Sequence, residues 1–368
     1  MNIDVQGYTR EQILAALFSS SREIRFEYTV SDSANNELGN IEVQDGHISY
    51  DSTSDVMRTF TGKVKKSDLL NMDTIDRKIT PWMCLMMPNG KEARWALGKF
   101  IIYPSAEANN DINMIDIFGY DLGKVALDDK SVSRIFINSD VEYTTAISTI
   151  LGELYTRSTV ESSEDLKSFP QEWEQGTSKL QIVNDLLKGI NYDPLYFDEY
   201  GVAICQAHIA VAQREIDFQY FANEQSVILD GITFASDKFD IPNKWVRYTE
   251  NPEAPYLIST FVNDSPDNPF STVSRGRTIV DVDVVEDIAS QTALDSYVVR
   301  IASEAMQTTE RIEFSTLNMP AHGYRECLFV NIPVYNIMGK YIETAWEMDL
   351  TSGGQMRHVC ERVVTQWV

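Results

Sequence analysis

The sequence predicts a mainly β protein with an α+β middle, and three observations carry that prediction. Apolar residues recur at every second position through much of the first and last thirds, which is the period of a half-buried strand. In the middle third they recur at three and four, the period of an amphipathic helix. The chain has 368 residues, and at about 150 residues per domain that is enough for two or three separate cores. The expected division is an antiparallel β domain over 1–127, a small α+β domain over 128–226, and a second β domain with one long helix over 227–368.

In the first third, Ile24, Phe26, Tyr28 and Val30 alternate with polar residues and share one strand face. Asp45-Gly46, between the alternating stretches 41–43 and 47–50, predicts a tight hairpin turn. Further strands are expected at 57–64, 79–87, 95–103 and 114–120, with Pro88-Asn89-Gly90 turning the chain between two of them. In the middle, Ala146, Ile147, Ile150, Leu151, Leu154 and Tyr155 make one helical stripe, with Asp140 placed to cap it. A second helix begins at the capping box of Ser178 and Gln181, carries Leu180, Val183, Leu186, Leu187 and Ile190, and stops before Pro194. A short hairpin over 195–205 follows, and the acidic stretch 158–176 between the helices reads as a surface loop. Strand patterns return at 227–235, 245–248, 256–262, 278–285, 312–317, 328–335, 340–350 and 355–364. One helix interrupts them, with the pairs Ala293/Leu294, Tyr297/Val298, Ile301/Ala302 and Ala305/Met306 at intervals of four and Asp287 as its expected cap. Thr351 to Gly354 should turn the last hairpin.

Charge and composition exclude several functions. Lys and Arg number 31 against 55 Asp and Glu, a formal net charge of −24, which repels nucleic-acid backbones and acidic lipid. The longest apolar run near the start, 13–18, is too short for a membrane span, so no membrane insertion is expected. Cys84, Cys205, Cys327 and Cys360 lie far apart, and none of the four histidines pairs with a cysteine at zinc-finger spacing. No GxSxG elbow, Walker A loop, GxGxxG turn or HExxH helix occurs. His358 and Cys360 sit two apart on an expected strand, which reads as a strand with one buried thiol and not as a nucleophile with its base. The alternation Val280-Asp281-Val282-Asp283-Val284 puts both aspartates on one strand face, a solvated and charged wall. The six tryptophans, from Trp82 to Trp367, are scattered and read as core or interface anchors. No catalytic residue, metal or cofactor is expected.

The order of several local phrases carries a resemblance. Trp95-Ala-Leu-Gly-Lys-Phe-Ile101, then Ile115-Asp-Ile-Phe-Gly-Tyr-Asp121, resembles a passage of phage tail hub proteins, found under the tail tube in baseplates and tail tips. The stretches 144–151, 180–192 with Phe197-Asp-Glu-Tyr-Gly201, and 263–276 resemble the same family in the same order, as do the helix 289–306, the strand 327–335 and the segment 348–356. The resemblance implies two tube-like antiparallel β-barrel or sandwich domains around the middle module, and a homotrimeric ring. Two similar domains per chain then give six similar positions, so a three-fold ring meets a six-fold tube. It further implies a tail tube or distal tail protein above, tip, spike or fibre proteins below, a tape measure protein, and DNA in transit without specific binding. The expected location is the virion, after assembly in the host cytoplasm, and no lytic or spike-forming domain is expected on this chain. Asp281 and Asp283 are the candidates for an acidic channel wall. The rival readings are a cell-wall hydrolase using a carboxylate pair, a carbohydrate-binding receptor module, and the hub of a non-viral tail-like injection particle.

Overall fold

In the computed structural model, described residues run from 3 to 362, except 20, 71–76, 105–112, 224–226, 230, 236–239, 252–254, 308, 309, 321 and 336. The strand pattern around Tyr28 folds as its alternation dictates. Ile24–Ser31 buries Ile24, Tyr28 and Val30, leaves Phe26 half-buried, and pairs antiparallel with Lys78–Met86 from Ile24–Leu85 to Ser31–Lys78. Gly90, with φ of 76°, makes the expected turn into Glu92–Ala96, its N–H donating to the Met87 carbonyl at 2.9 Å.

Asp45-Gly46 does not turn the chain. One strand, Val43–Asp51, runs through it, and the pairing with Arg58–Lys65 shifts register between Gln44 and His47. Asp45 takes a φ of 51° there, so the two residues make a β-bulge. Only a residue without a side chain fits at 46, because a Cβ would meet the Tyr28 hydroxyl and, at 3.2 Å, Leu350.

The first and last thirds share one sheet of 14 strands. The seam is the antiparallel pairing of Val43–Asp51 with the end of the long strand Ile337–Asp349, from His47–Asp349 to Asp51–Ala345. That long strand divides one edge between two partners, Cys327–Ile332 along residues 337–342 and Val43–Asp51 along 345–349, while Gln355–Arg362 takes the other edge. Lys78–Met86 in the first third divides an edge in the same way, between Phe100–Pro104 and Glu92–Ala96. A single core with Phe60, Trp95, Phe100, Phe314, Tyr341 and Trp346 runs beneath both thirds. The predicted final turn stands, and Trp367 lies outside the described residues.

The middle module packs the helices Tyr143–Leu154 and Lys179–Gly189 around their own core of Ile147, Leu151, Leu180, Val183 and Leu187. Ser178 caps as expected, its Oγ accepting from Gln181 N–H at 3.2 Å. Asp140 does not cap: Glu142 occupies that position, and Asp140 turns at a φ of 62°. The acidic stretch 158–176 is more than a surface loop, since it supplies the short strands Ser158–Val160 and Gln171–Trp173 and buries Lys167, Phe169 and Trp173.

The long helix, Gln291–Gln307, packs on a separate three-stranded sheet and not on the main one. Lys244–Tyr248 is central there, antiparallel to Ile258–Val262 and parallel to Val280–Val284. Leu294, Tyr297, Val298 and Ala302 are buried against it, whereas Ala293 and Ile301 are half-buried.

Candidate functional site

Register places the two sequence-predicted aspartates. Asp281 stands opposite Trp245, and Asp283 opposite Arg247, on the face turned to the long helix. Asp281 Oδ2 accepts from Arg247 Nη2 at 2.9 Å, and that arginine side chain is 6% exposed, so the first carboxylate is neutralised within its own sheet. Asp283 is exposed, with Oδ1 accepting the Val284 N–H at 3.0 Å. The alternation read from sequence holds, but its valine side is the outward one. Val280 and Val282 are 49% and 56% exposed, and across the sheet Ile258 and Val262 lie on the same open face beside Tyr256. Ile258–Val262 and Val280–Val284 are also the two edges of this sheet, paired with no further strand among the described residues, although Gln291 Nε2 donates to the Ile258 carbonyl at 3.1 Å. An exposed apolar face between two sheet edges suits association with another surface.

Asp287 is not the cap of the long helix, which begins at Gln291. It reaches into the middle module instead. Lys167 Nζ, fully buried, donates to Asp287 Oδ2 and to Gln171 Oε1, each at 2.7 Å, and stands 4.7 Å from the centre of the Tyr143 ring. Burial pulls the Lys167 ammonium below its ordinary value, and the Asp287 carboxylate opposes that. The Tyr143 hydroxyl donates to the same carboxylate at 3.3 Å. This pair joins the middle module to the small sheet and its helix.

His358 and Cys360 form no catalytic pair. The His358 Nδ1 lies 2.6 Å from Glu343 Oε1, and His322 Nδ1 lies 2.6 Å from Glu343 Oε2. On the outer side of each ring, Tyr220 OH meets His322 Nε2 at 2.7 Å and Thr316 Oγ1 meets His358 Nε2 at 2.8 Å. Burial pushes both imidazoles below their ordinary value and the Glu343 carboxyl above its own. Neutral rings donating at Nδ1 satisfy both Glu343 contacts, His322 Nε2 accepts from the Tyr220 hydroxyl, and the Thr316 hydroxyl stands between His358 Nε2 and the Leu317 carbonyl at 2.9 Å. The residues are of metal-binding type, yet ligands on one tetrahedral ion stand roughly 3.3 Å apart. The 2.6 Å contacts are hydrogen bonds, so the cluster is closed around protons. Sequence reading missed it because its three members come from separate parts of the last third. Burial also raises the Cys360 thiol well above its usual range, which leaves it an inert core residue.

No protein-family model matches the chain. No curated protein matches it either. Solved structures do. The tail protein of Neisseria meningitidis superposes with a TM-score of 0.65 at 9% identity, covering 92% of this chain and 97% of that one. The chain has the fold of phage tail proteins. The 43 kDa tail protein of the MuSo2 prophage of Shewanella oneidensis has the same architecture, with a TM-score of 0.61 at 9% identity over 91% of this chain and 98% of its own. An Escherichia coli component of the type VI secretion system, itself similar to bacteriophage tail proteins, matches with a TM-score of 0.50 at 7% identity over 89% and 75%. The mainly β tail-protein fold expected from the sequence is thus present along nearly the whole chain.

Proposed function

We propose that this chain is the structural hub of a phage tail tip or baseplate, three copies of which form a ring that joins a six-fold tail tube to a three-fold tip and surrounds the DNA channel. One observation carries the reading: the tail-protein fold extends over 92% of this chain and 97% of the Neisseria protein, so the match is of whole architecture and not of one module. In this reading 1–127 and 227–368 are the two tube-like domains, 128–226 is the spacer, and no residue acts as acid, base or nucleophile. The chain works in the virion after assembly in the host cytoplasm, against tube or distal tail protein above, tip, spike or fibre proteins below, and the tape measure protein. The two edges and outward valines of the three-stranded sheet support assembly. Asp281 and Asp283 are the proposed acidic contribution to the channel wall, with Asp283 carrying the unpaired charge.

Native mass spectrometry of the pure protein or of isolated tails tests the ring. Three copies are expected; a stable monomer inside intact tails, or six copies, would refute it. The likeness to a secretion component favours a second reading, the hub of a non-viral injection particle. Imaging whole particles labelled on this protein separates the two, by whether a DNA-filled head is attached.

A further inference from the structure

A cleft of about 480 Å³ separates the hairpin of the middle module from the main sheet, and Arg58 is in its wall. Arg58 is only 4% exposed. Its backbone N–H donates to Asp121 Oδ2 at 2.9 Å, but among the described residues its guanidinium has neither a hydrogen-bond acceptor nor a carboxylate within 4.0 Å. Asp121, whose two oxygens accept the backbone N–H groups of Arg58 and Gly123, acts on the guanidinium through space and not by a hydrogen bond. The rings of Tyr50 and Trp346, 5.9 and 6.0 Å from the guanidinium carbon, orient the cation without neutralising it. The guanidinium nitrogens are not among the buried polar atoms left without a partner, so they open to the solvent of the cleft, and a carboxylate brought there would gain a charge-assisted bond.

The other charges of the cleft specify what kind of carboxylate. Arg214 is already committed, with Nη1 donating to the Arg325 carbonyl at 2.7 Å and Nη2 lying 3.5 Å from Asp193. Glu199, Glu215 and Asp217 line the more exposed part, so phosphate, nucleic acid or anionic lipid meets negative charge before it meets Arg58. A ligand carrying both signs sets its carboxylate on Arg58 and its cation among these carboxylates, which Asp198 and the buried Glu326 join in the wall. Tyr196 and Tyr324, stacked 4.2 Å apart at 9°, add a flat apolar wall against which an extended backbone or an aliphatic stem can lie.

We propose that this cleft receives a peptide segment of a partner protein, with an Asp or Glu side chain or a C-terminal carboxylate on Arg58 and a Lys or Arg a few residues away against Glu199, Glu215 and Asp217. The inference rests on the cleft alone and stands whether or not the chain forms a trimeric hub.

Panning the full chain against a bead-displayed library of random hexapeptides, followed by calorimetry with the best synthetic hit, tests it. Enriched peptides should pair a carboxylate with a basic residue. Changing that carboxylate to its amide, or Arg58→Met in the protein, should each weaken binding on the order of tenfold, the loss of one charge-assisted pair. Because Arg58→Met removes an unpaired charge while keeping its packing, the variant should melt at the parental temperature. Glu215→Lys, at an exposed position, should weaken the same peptide with the fold intact. No enrichment, enrichment indifferent to Arg58→Met, or competition by inorganic phosphate as strong as by the peptide would overturn the proposal. So would a large fall in the Arg58→Met melting temperature, which would make the cation a structural one.

Discussion

Removing one member of the Lys167–Asp287 pair should destabilise the protein far more than removing both. The ammonium is fully buried and the carboxylate side chain is 4% exposed, with 2.7 Å between them. In Asp287→Ala the ammonium keeps Gln171 Oε1 and the faces of Tyr143 and Phe169 but no opposite charge, and an uncompensated buried charge of this kind costs about 3–5 kcal/mol. In Lys167→Met the carboxylate keeps only the Tyr143 hydroxyl at 3.3 Å, and a similar cost applies. The double variant Lys167→Met/Asp287→Ala leaves no stranded charge and should lie within about 2 kcal/mol of the parent, so the cycle should return a coupling of several kcal/mol. At about 2–4 °C per kcal/mol for a domain of this size, each single change should lower the melting temperature by roughly 6–20 °C. Calorimetric scans of the four proteins measure it. A single variant melting within about 2 °C of the parent, or a double variant as unstable as the sum of the singles, would refute the argument.

Leu294→Ala, at a fully buried site on the long helix, should cost about 2–5 kcal/mol, and Ile301→Ala, half-buried, distinctly less; urea unfolding of both would expose a reversal. Burial holds His322 and His358 below their ordinary value, so the unfolded chain takes up protons first. The stability tied to their neutrality is complete above about pH 6.5 and drains as pH falls below it. Melting temperature should therefore drop between about pH 7 and 5, less steeply in His322→Gln, and parallel profiles would count against the network. Asp283→Lys should slow DNA ejection with ring assembly unchanged if this exposed aspartate faces the channel, Asp281 being left in place to neutralise Arg247, and equal ejection rates at low salt would remove it from the wall.

Sequence made the strands legible where one periodicity met one buried face, as at Ile24, Tyr28 and Val30. It did less well where the local pattern permits two outcomes. Asp45-Gly46 suits a turn or a bulge, and the choice falls to the strands on either side, which continue through it. Val280, Val282 and Val284 alternate with aspartates whichever face is covered. The long helix lies on the Trp245 and Phe261 side, so the valines face out, a fact of packing that no local pattern encodes. Asp140 and Asp287 stand at plausible cap spacing, yet one turns the chain and the other meets Lys167, 120 residues away in sequence. Glu343, His322 and His358 each look unremarkable alone, and Arg58 carried no motif. Their environments exist only after distant segments close on them.

The seam between Val43–Asp51 and Ile337–Asp349 also has a consequence for synthesis on the ribosome. The two strands are separated by about 300 residues, and at roughly 5–20 residues per second that is a delay of about 15–60 s. During that interval the edge of Val43–Asp51 opposite Arg58–Lys65 is complete but uncovered, with Ile48 and Tyr50 awaiting the strand that finishes their core. A bare strand edge is a template for pairing with any other chain, and nascent copies made side by side from one message present the same edge at once. The bulge at Asp45-Gly46 interrupts that edge near one end, and a kinked strand is a poorer template than a flat one. Vectorial synthesis thus leaves a strand of the last third to cap one made in the first, and the fold's most distant strand pairing is also its protection against premature association.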